Sequence, residues 1–362
     1  MSRIKNIAAG IFVIAYTVLL IIFIKDVGAA VSASVKNCLE VIIPSLYAFM
    51  VISGFIVSSN LYCVLSRPFG LISRYIFRIP EEYFSIFIIS SIGGYPVGAR
   101  LLADMCRKNK LDKDTAEHML DYCYLSGPAF ICSIVGIRLF SSLKTGIVIF
   151  LSILSANLIY AFISGLGRKV PPPRKGKAKL ELSFINLLRS VTDGAEAMLS
   201  VCAVIVFFSS FICILEKLNV IQYAARLISY LFGTSYADSI SAVKSLLEIS
   251  NIASFTANNY SSVPLIAALL SFGGVCVLMQ NESFISGAFK TKRFYIARIA
   301  AAFLSYILCK AFMGIFGISA VYTSVSYGLG YRQNSPIPSL FLLIMTILLL
   351  LSNNPMVKKE KM

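Results

Sequence analysis

Ser91-Ile92-Gly93-Gly94-Tyr95-Pro96-Val97-Gly98-Ala99 and, far downstream, Leu246-Leu247-Glu248-Ile249-Ser250-Asn251-Ile252-Ala253-Ser254 interrupt the backbone where a membrane helix would run smoothly. Each stretch sits beside long apolar segments, one in each half of the chain. Backbone N–H and C=O groups left unpaired in hydrocarbon are costly, so such breaks persist only where protein or a polar cavity surrounds them. Paired breaks in corresponding halves point to the substrate site of a secondary transporter.

Composition sets the class. The chain is 57% hydrophobic and 14% charged, whereas soluble domains carry about 25% charged residues. Several apolar runs approach the roughly 20 residues that span a bilayer, and none shows the alternating pattern of a membrane barrel. An all-α polytopic membrane protein follows, with the lipid bilayer as its first partner. The net charge of +16 is carried in short loops between apolar runs: Arg168, Lys169, Arg174, Lys175, Lys177 and Lys179, then Lys290, Lys292 and Arg293. That distribution orients a membrane protein with these loops inside. No soluble basic module exists to hold nucleic acid. Nine scattered cysteines form no Cys-x-x-Cys pair and behave as small hydrophobes. The single histidine, His118, falls in what reads as a charged loop. Metal, cofactor and nucleophile–base chemistry therefore find no material here, and no enzyme is expected.

Apolar length and flanking charge give about eight spans, at 7–24, 38–58, 122–140, 145–165, 195–215, 261–280, 293–316 and 336–352. The run Ile7–Ile24 exceeds the 7–15 residues of a signal-peptide core, which favours an uncleaved first span. With the N-terminus inside, the basic clusters at 67–78, 100–113, 168–179, 290–293 and 358–361 share one face. Residues 84–99 must then enter and leave on that face. As a straight helix they reach only about 24 Å, so they fold back as a re-entrant hairpin. Residues 243–258 dip in from the opposite face by the same counting. The expected organisation is a first helix and loop at 1–37 and a repeat at 38–167. A basic Pro-rich cytoplasmic linker at 168–182 separates it from a second repeat at 183–318, and a last helix and basic tail fill 319–362. The repeats have inverted topology; the alternative is that both dips are ordinary short spans or loops.

Candidate site residues cluster at the breaks. Gly93, Gly94 and Gly98 let backbone approach a ligand closely, while Pro96 starts a turn beside Tyr95. A helix restarting there points its positive end at the site, which suits a carboxylate. A tight packing turn is the structural alternative. Ser126-Gly127-Pro128 marks a second interruption, with Ser126 either a helix cap or a substrate contact. Glu248, amid apolar neighbours and followed by Ser250 and Asn251, is a functional hypothesis by default. It would bind Na⁺ or carry a proton as a coupling ion; alternatively it pairs with Lys244 one helical turn earlier. Gly273, Gly274 and Gln280 mark the later span of that half. Arg100 and Arg138 either draw an anion inward or reach out to headgroups.

Gly94-Tyr95-Pro96-Val97-Gly98-Ala99, the charged stretch to Asp121, and Ser126-Gly127-Pro128-Ala129-Phe130-Ile131 resemble the nucleoside-recognition (Gate) domain. Leu247-Glu248-Ile249-Ser250 and Ser271-Phe272-Gly273-Gly274-Val275-Cys276, with Gln280, resemble its second copy. The resemblance extends over about 38–316 and is nearest to the sporulation integral membrane proteins of endospore-forming bacteria. It implies a fold like that of concentrative nucleoside transporters, with hairpins meeting at a central site. It further implies movement of dipicolinic acid, a small aromatic dianion, across the cell membrane or, in a spore-former, the outer forespore membrane. A nucleoside carrier and a non-transporting membrane scaffold are the alternatives. Ser250-Asn251-Ile252 replaces the usual Thr-x-Gly after the glutamate, so the contacts of the second hairpin are the least transferable part.

Overall fold

The computed structural model describes residues 2–169 and 180–318, and all their regular structure is helical. Five helical segments are long and apolar enough to cross a membrane: Ile24–Ser58, Leu143–Gly165, Phe184–Lys217, Tyr260–Ile285 and Lys292–Ile315. The chain is a multi-pass helical membrane protein. Two further expected spans are shorter apolar helices, Asn6–Ile22 and Pro128–Leu139. The expected span at 336–352, the basic tail and most of the Pro-rich linker lie outside the described residues.

In chain order, α1 (Ser2–Ile22) and α2 (Ile24–Ser58) lead into short turns over 61–77. Helices α3 (Phe84–Gly93) and α4 (Val97–Arg107) form a hairpin, followed by α5 (Lys113–Leu120). Residues 121–127 are unwound before α6 (Pro128–Leu139) and α7 (Leu143–Gly165). The second half contains α8 (Phe184–Lys217), the amphipathic α9 (Val220–Phe232) and α10 (Tyr236–Leu247). Then come α11 (Val263–Phe272), α12 (Gly274–Ile285) and α13 (Lys292–Ile315). Side-chain caps start several of these helices, with Ser142, Ser183, Ser235 and Asp112 each accepting a bond from a first-turn N–H.

Two expected spans differ in the structure. The 122–140 segment turns helical only at Pro128, because Pro128 has no N–H to give and favours a first turn, while Gly127 is extended (φ −64°, ψ 144°). In α2, a π-turn at Cys38–Ile42 precedes Pro44, whose ring cannot continue the ordinary ladder.

Helices α2 and α8 run antiparallel. Lys217 Nζ pairs with Asp26 at 2.7 Å at one end, Ser209 Oγ donates to Ala30 O at 3.0 Å, and Gly54 abuts Ser190 at the other end. Along α13, Ala297, Ala301, Ser305 and Cys309 are buried at i+4 spacing, which lets α7 and α11 approach closely. Ile296, Ile299 and Phe303 on its other face are 65–70% exposed, as lipid contact requires.

The two dipping segments fold back on themselves. Tyr83 Oη, just before α3, donates to Lys110 O, just after α4, at 2.7 Å. In the second half, the Asp238 carboxylate at the start of α10 receives Thr256 N at 2.8 Å and Ser262 Oγ at 2.6 Å. The mouth of the first hairpin lies near Gly165, where Ile76 O and Arg78 crowd it. The mouth of the second lies by Leu139, whose carbonyl accepts Asn258 N at 3.1 Å. Helix α7 joins those two places, and its 23 residues rise about 34 Å. The two mouths therefore lie near opposite ends of α7.

Candidate functional site

Helix α3 ends at Gly94 (φ +74°), and the chain passes Tyr95 and a cis Tyr95–Pro96 bond into α4. The unwound 121–127 strip lies across this tip. Tyr95 N donates to Leu125 O at 2.7 Å, and a Cβ on Gly94 would stand 2.5 Å from Gly127 N. Gly98 packs with no room for a side chain against Cys123 O.

An arginine holds the unwound strip in place. Arg298 on α13 is fully buried and donates to the carbonyls of Tyr124 (2.9 Å) and Asp121, and to Asn157 Oδ1 (3.2 Å). Its guanidinium also sits 4.9 Å from the centre of the Tyr124 ring. The carbonyls that unwinding leaves without helical partners thus receive charged donors. Tyr124 in turn packs its hydroxyl end on Gly273.

At the second break, α10 stops and Glu248 turns extended (φ −141°, ψ 114°). Its carboxylate gathers Ser250 N at 2.9 Å, Ser250 Oγ at 2.5 Å and Asn251 Nδ2 at 3.0 Å. Asn37 on α2 donates to Ser250 Oγ at 3.3 Å. Span Tyr260–Ile285 breaks at Gly273 and Gly274, and a Cβ on Gly274 would lie 2.9 Å from Ser245 O. The break of each hairpin therefore rests, backbone on backbone, against the break of the span that follows it.

Between the two breaks lies a cavity of about 50 Å³, room for a few water molecules. Tyr95 and Pro96 reach it from the first tip, Ser126 and Gly127 from the unwound strip, and Glu248 and Ser250 from the second break. Ser45 on α2, Val201 on α8 and Gln280 on α12 also reach it, and Ile42, Leu46, Phe130, Ile205, Ile249 and Val277 give the rest of the wall an apolar lining. Gln280 Nε2 points toward Val201 O at 3.5 Å. Glu248 is 5% exposed and Gln280 3%.

Seven of the sequence candidates thus meet at one wall: Tyr95, Pro96, Ser126, Gly127, Glu248, Ser250 and Gln280. Gly93, Gly94, Gly98, Gly273 and Gly274 shape the breaks by close packing, Pro128 opens α6, and Asn251 serves the Glu248 carboxylate. Two expected counter-charges lie elsewhere. Lys244 pairs with Glu216 at 2.8 Å, because Glu248 leaves the helix and no longer stacks one turn below it. Arg100 sits one turn beyond Pro96, 3.9 Å from Asp104, on the wall of a different cavity. Arg138 is exposed at the end of α6. His118 is not in a loop: it is buried on α5, with Nε2 3.0 Å from Phe77 O. Arg298 was missed although its signal was present, since a lone arginine inside an apolar span demands a partner.

The chain is 24% identical over 292 residues to the sporulation integral membrane protein YlbJ of Bacillus subtilis (strain 168), an alignment covering 72% of this chain and 71% of that protein. No family model matches the chain. No solved structure matches it.

Proposed function

We propose that the protein is a membrane transporter of a small anionic metabolite in a sporulating bacterium, with dipicolinate as the substrate. The observation that carries this reading is the convergence of the two hairpin breaks on one small cavity. Irregular backbone at membrane depth serves a transporter because it turns donors and acceptors toward cargo instead of toward a helix ladder. The likeness to a sporulation membrane protein sets the biological context. The shared packing device, Gly94 on Gly127 and Gly274 on Ser245, supports two inverted Gate-like copies arranged as in concentrative nucleoside transporters.

In this reading Ser126 donates to the substrate carboxylates, while Tyr95 offers a ring face to its aromatic body. Glu248 would oppose a dianion if left charged, so it binds Na⁺ or carries a proton as the coupled ion. The cavity is far below the roughly 300 Å³ of a small-molecule site, so loading requires the hairpins to part. The cargo passes unchanged, without a chemical step.

The test is uptake of labelled dipicolinate into proteoliposomes. Loss of uptake on Gly94→Val or Glu248→Ala supports the reading, and equal uptake with and without protein removes it. Competition by uridine would transfer the assignment to a nucleoside. Activity in vivo that survives Glu248→Ala and Ser126→Ala but disappears on deletion of 168–179 would indicate a scaffold instead.

A further inference from the structure

Helix α4 starts at the central cavity and leads away from it. A second cavity of about 240 Å³ lies against its outer length, walled by Arg100, Asp104 and Lys108. Val57 and Ser58 at the end of α2, and Asn186 and Arg189 at the start of α8, form its other sides. These elements meet at the end of the bundle that carries the basic loops, where Glu181 N donates to Ser59 O and Lys110 Nζ to Val57 O. Positive-loop bias places that end in the cytoplasm.

Charge in this cavity is graded. Lys108, Arg189, Glu181 and Asp193 are exposed and balance one another at the rim, while the half-buried Lys110 in the same wall is held by Val57 O and Asn60 Oδ1. Arg100 is 9% exposed, at the inner end nearest Pro96. Its ion-pair contact, to Asp104 at 3.9 Å, is longer than a direct hydrogen bond, and Asp104 also serves Arg107 at 3.3 Å. One carboxylate thus stands between two guanidiniums, and Arg100 Nη1 has no hydrogen-bond partner among the described residues. A guanidinium offers five donors in a fork that matches a carboxylate. Buried and under-partnered, it is an unfinished ion pair.

We infer that this cavity is a second, cytoplasmic binding site for a small carboxylate anion, which docks on Arg100 before passing along α4 to the central cavity. The inference rests on the anion-transport reading above and adds a staging site to it. Rise along α4 puts Arg100 about 6 Å from Pro96, close enough for hand-over without release to bulk water. The balanced rim admits solutes of either sign, and the selection for an anion lies at the floor.

The experiment measures dipicolinate transport in inside-out vesicles carrying the full chain, for wild type, Arg100→Gln, Arg100→Lys and Ser58→Phe, the last filling the cavity without altering its charge. The expected result is a KM about tenfold higher in Arg100→Gln at unchanged maximal rate, partial recovery in Arg100→Lys, and a raised KM in Ser58→Phe. A wild-type KM in Arg100→Gln overturns the staging site while leaving the transport reading intact. No saturable transport by wild type removes both. If Arg100→Gln is lost from the membrane, Ser58→Phe decides, and a wild-type KM there overturns the inference.

Discussion

Gly94 and Gly127 touch backbone to backbone: a Cβ on Gly94 would lie 2.5 Å from Gly127 N and 2.9 Å from its Cα. Gly94 also holds φ at +74°, where an L side chain is strained. Alanine there meets two independent penalties, conformational and steric, and the backbone opposite cannot swing aside. Gly94→Ala should lower stability by about 2 kcal/mol or more and abolish uptake, seen as a fall in melting temperature of the purified protein. Gly28→Ala provides the contrast: nothing lies within 4 Å of its added carbon inside α2, so melting should stay level or rise slightly.

Arg298 is the anchor of the unwound strip. Replacing it by Met removes the charged donors of the Asp121 and Tyr124 carbonyls while keeping much of the volume. Those carbonyls sit in a strip with no helical ladder to fall back on. The expected loss is about 3 kcal/mol, with lower melting temperature and reduced membrane yield. Arg298→Lys keeps the charge but loses the fork, so it should recover only part of the loss. Equal melting of wild type and Arg298→Met would mean that the strip is held by packing alone.

Much of this arrangement was legible in the sequence, and the reason is physical. Gly94-Tyr95-Pro96 combines a positive-φ glycine with a proline that gives no N–H, and Glu248 places a carboxylate in an apolar run where it demands a partner, so both stretches stand out from a smooth membrane helix. Charge on both flanks of 84–99 then required a fold-back, and the Tyr83–Lys110 contact closes it. What the sequence concealed depends on three-dimensional pairing. Lys244 lies four residues before Glu248, yet the break rotates Glu248 away and Lys244 finds Glu216. His118 sits among charges along the chain but on the buried face of α5. Local spacing describes a regular helix, so it fails first where the helix stops, which is also where the candidate site lies.

Asp238 closes the mouth of the second hairpin, accepting from Thr256 N, Ser262 Oγ at 2.6 Å and Asn259 Nδ2 at 2.5 Å. Asp238→Ala removes the acceptor of Thr256 N and Ser262 Oγ, leaves Asn259 Nδ2 with Ser262 Oγ alone, and separates the two ends of the segment. Hydrogen bonds to a charged acceptor contribute about 1.5–3 kcal/mol each, so a destabilisation of about 3 kcal/mol is expected after relaxation. Limited proteolysis provides the readout, with new cleavage between 254 and 262 in the variant. An unchanged digestion pattern would show that packing, not Asp238, keeps the mouth shut.

At the basic end of the bundle, outside the spans, two buried groups titrate in opposite senses. Burial lowers His118 from 6.5 to about 4 and raises Asp121 from 3.8 to about 6, against the nearby Arg293 charge. For His118 the folded value is depressed, so its contribution is fully present above pH 6.5 and is lost as pH falls toward 4. For Asp121 the folded value is raised, so its contribution is fully present below pH 3.8 and is lost as pH rises through 6. Each shift amounts to about 3 kcal/mol, and the two nearly cancel over the window they share. Wild type should therefore melt at similar temperatures at about pH 4.5 and about pH 6.5. Asp121→Asn removes the second effect, and its melting temperature should rise with pH across that window. His118→Gln removes the first and should fall with pH. Parallel profiles for the two variants would disprove the opposition, and with it the burial assigned to both groups.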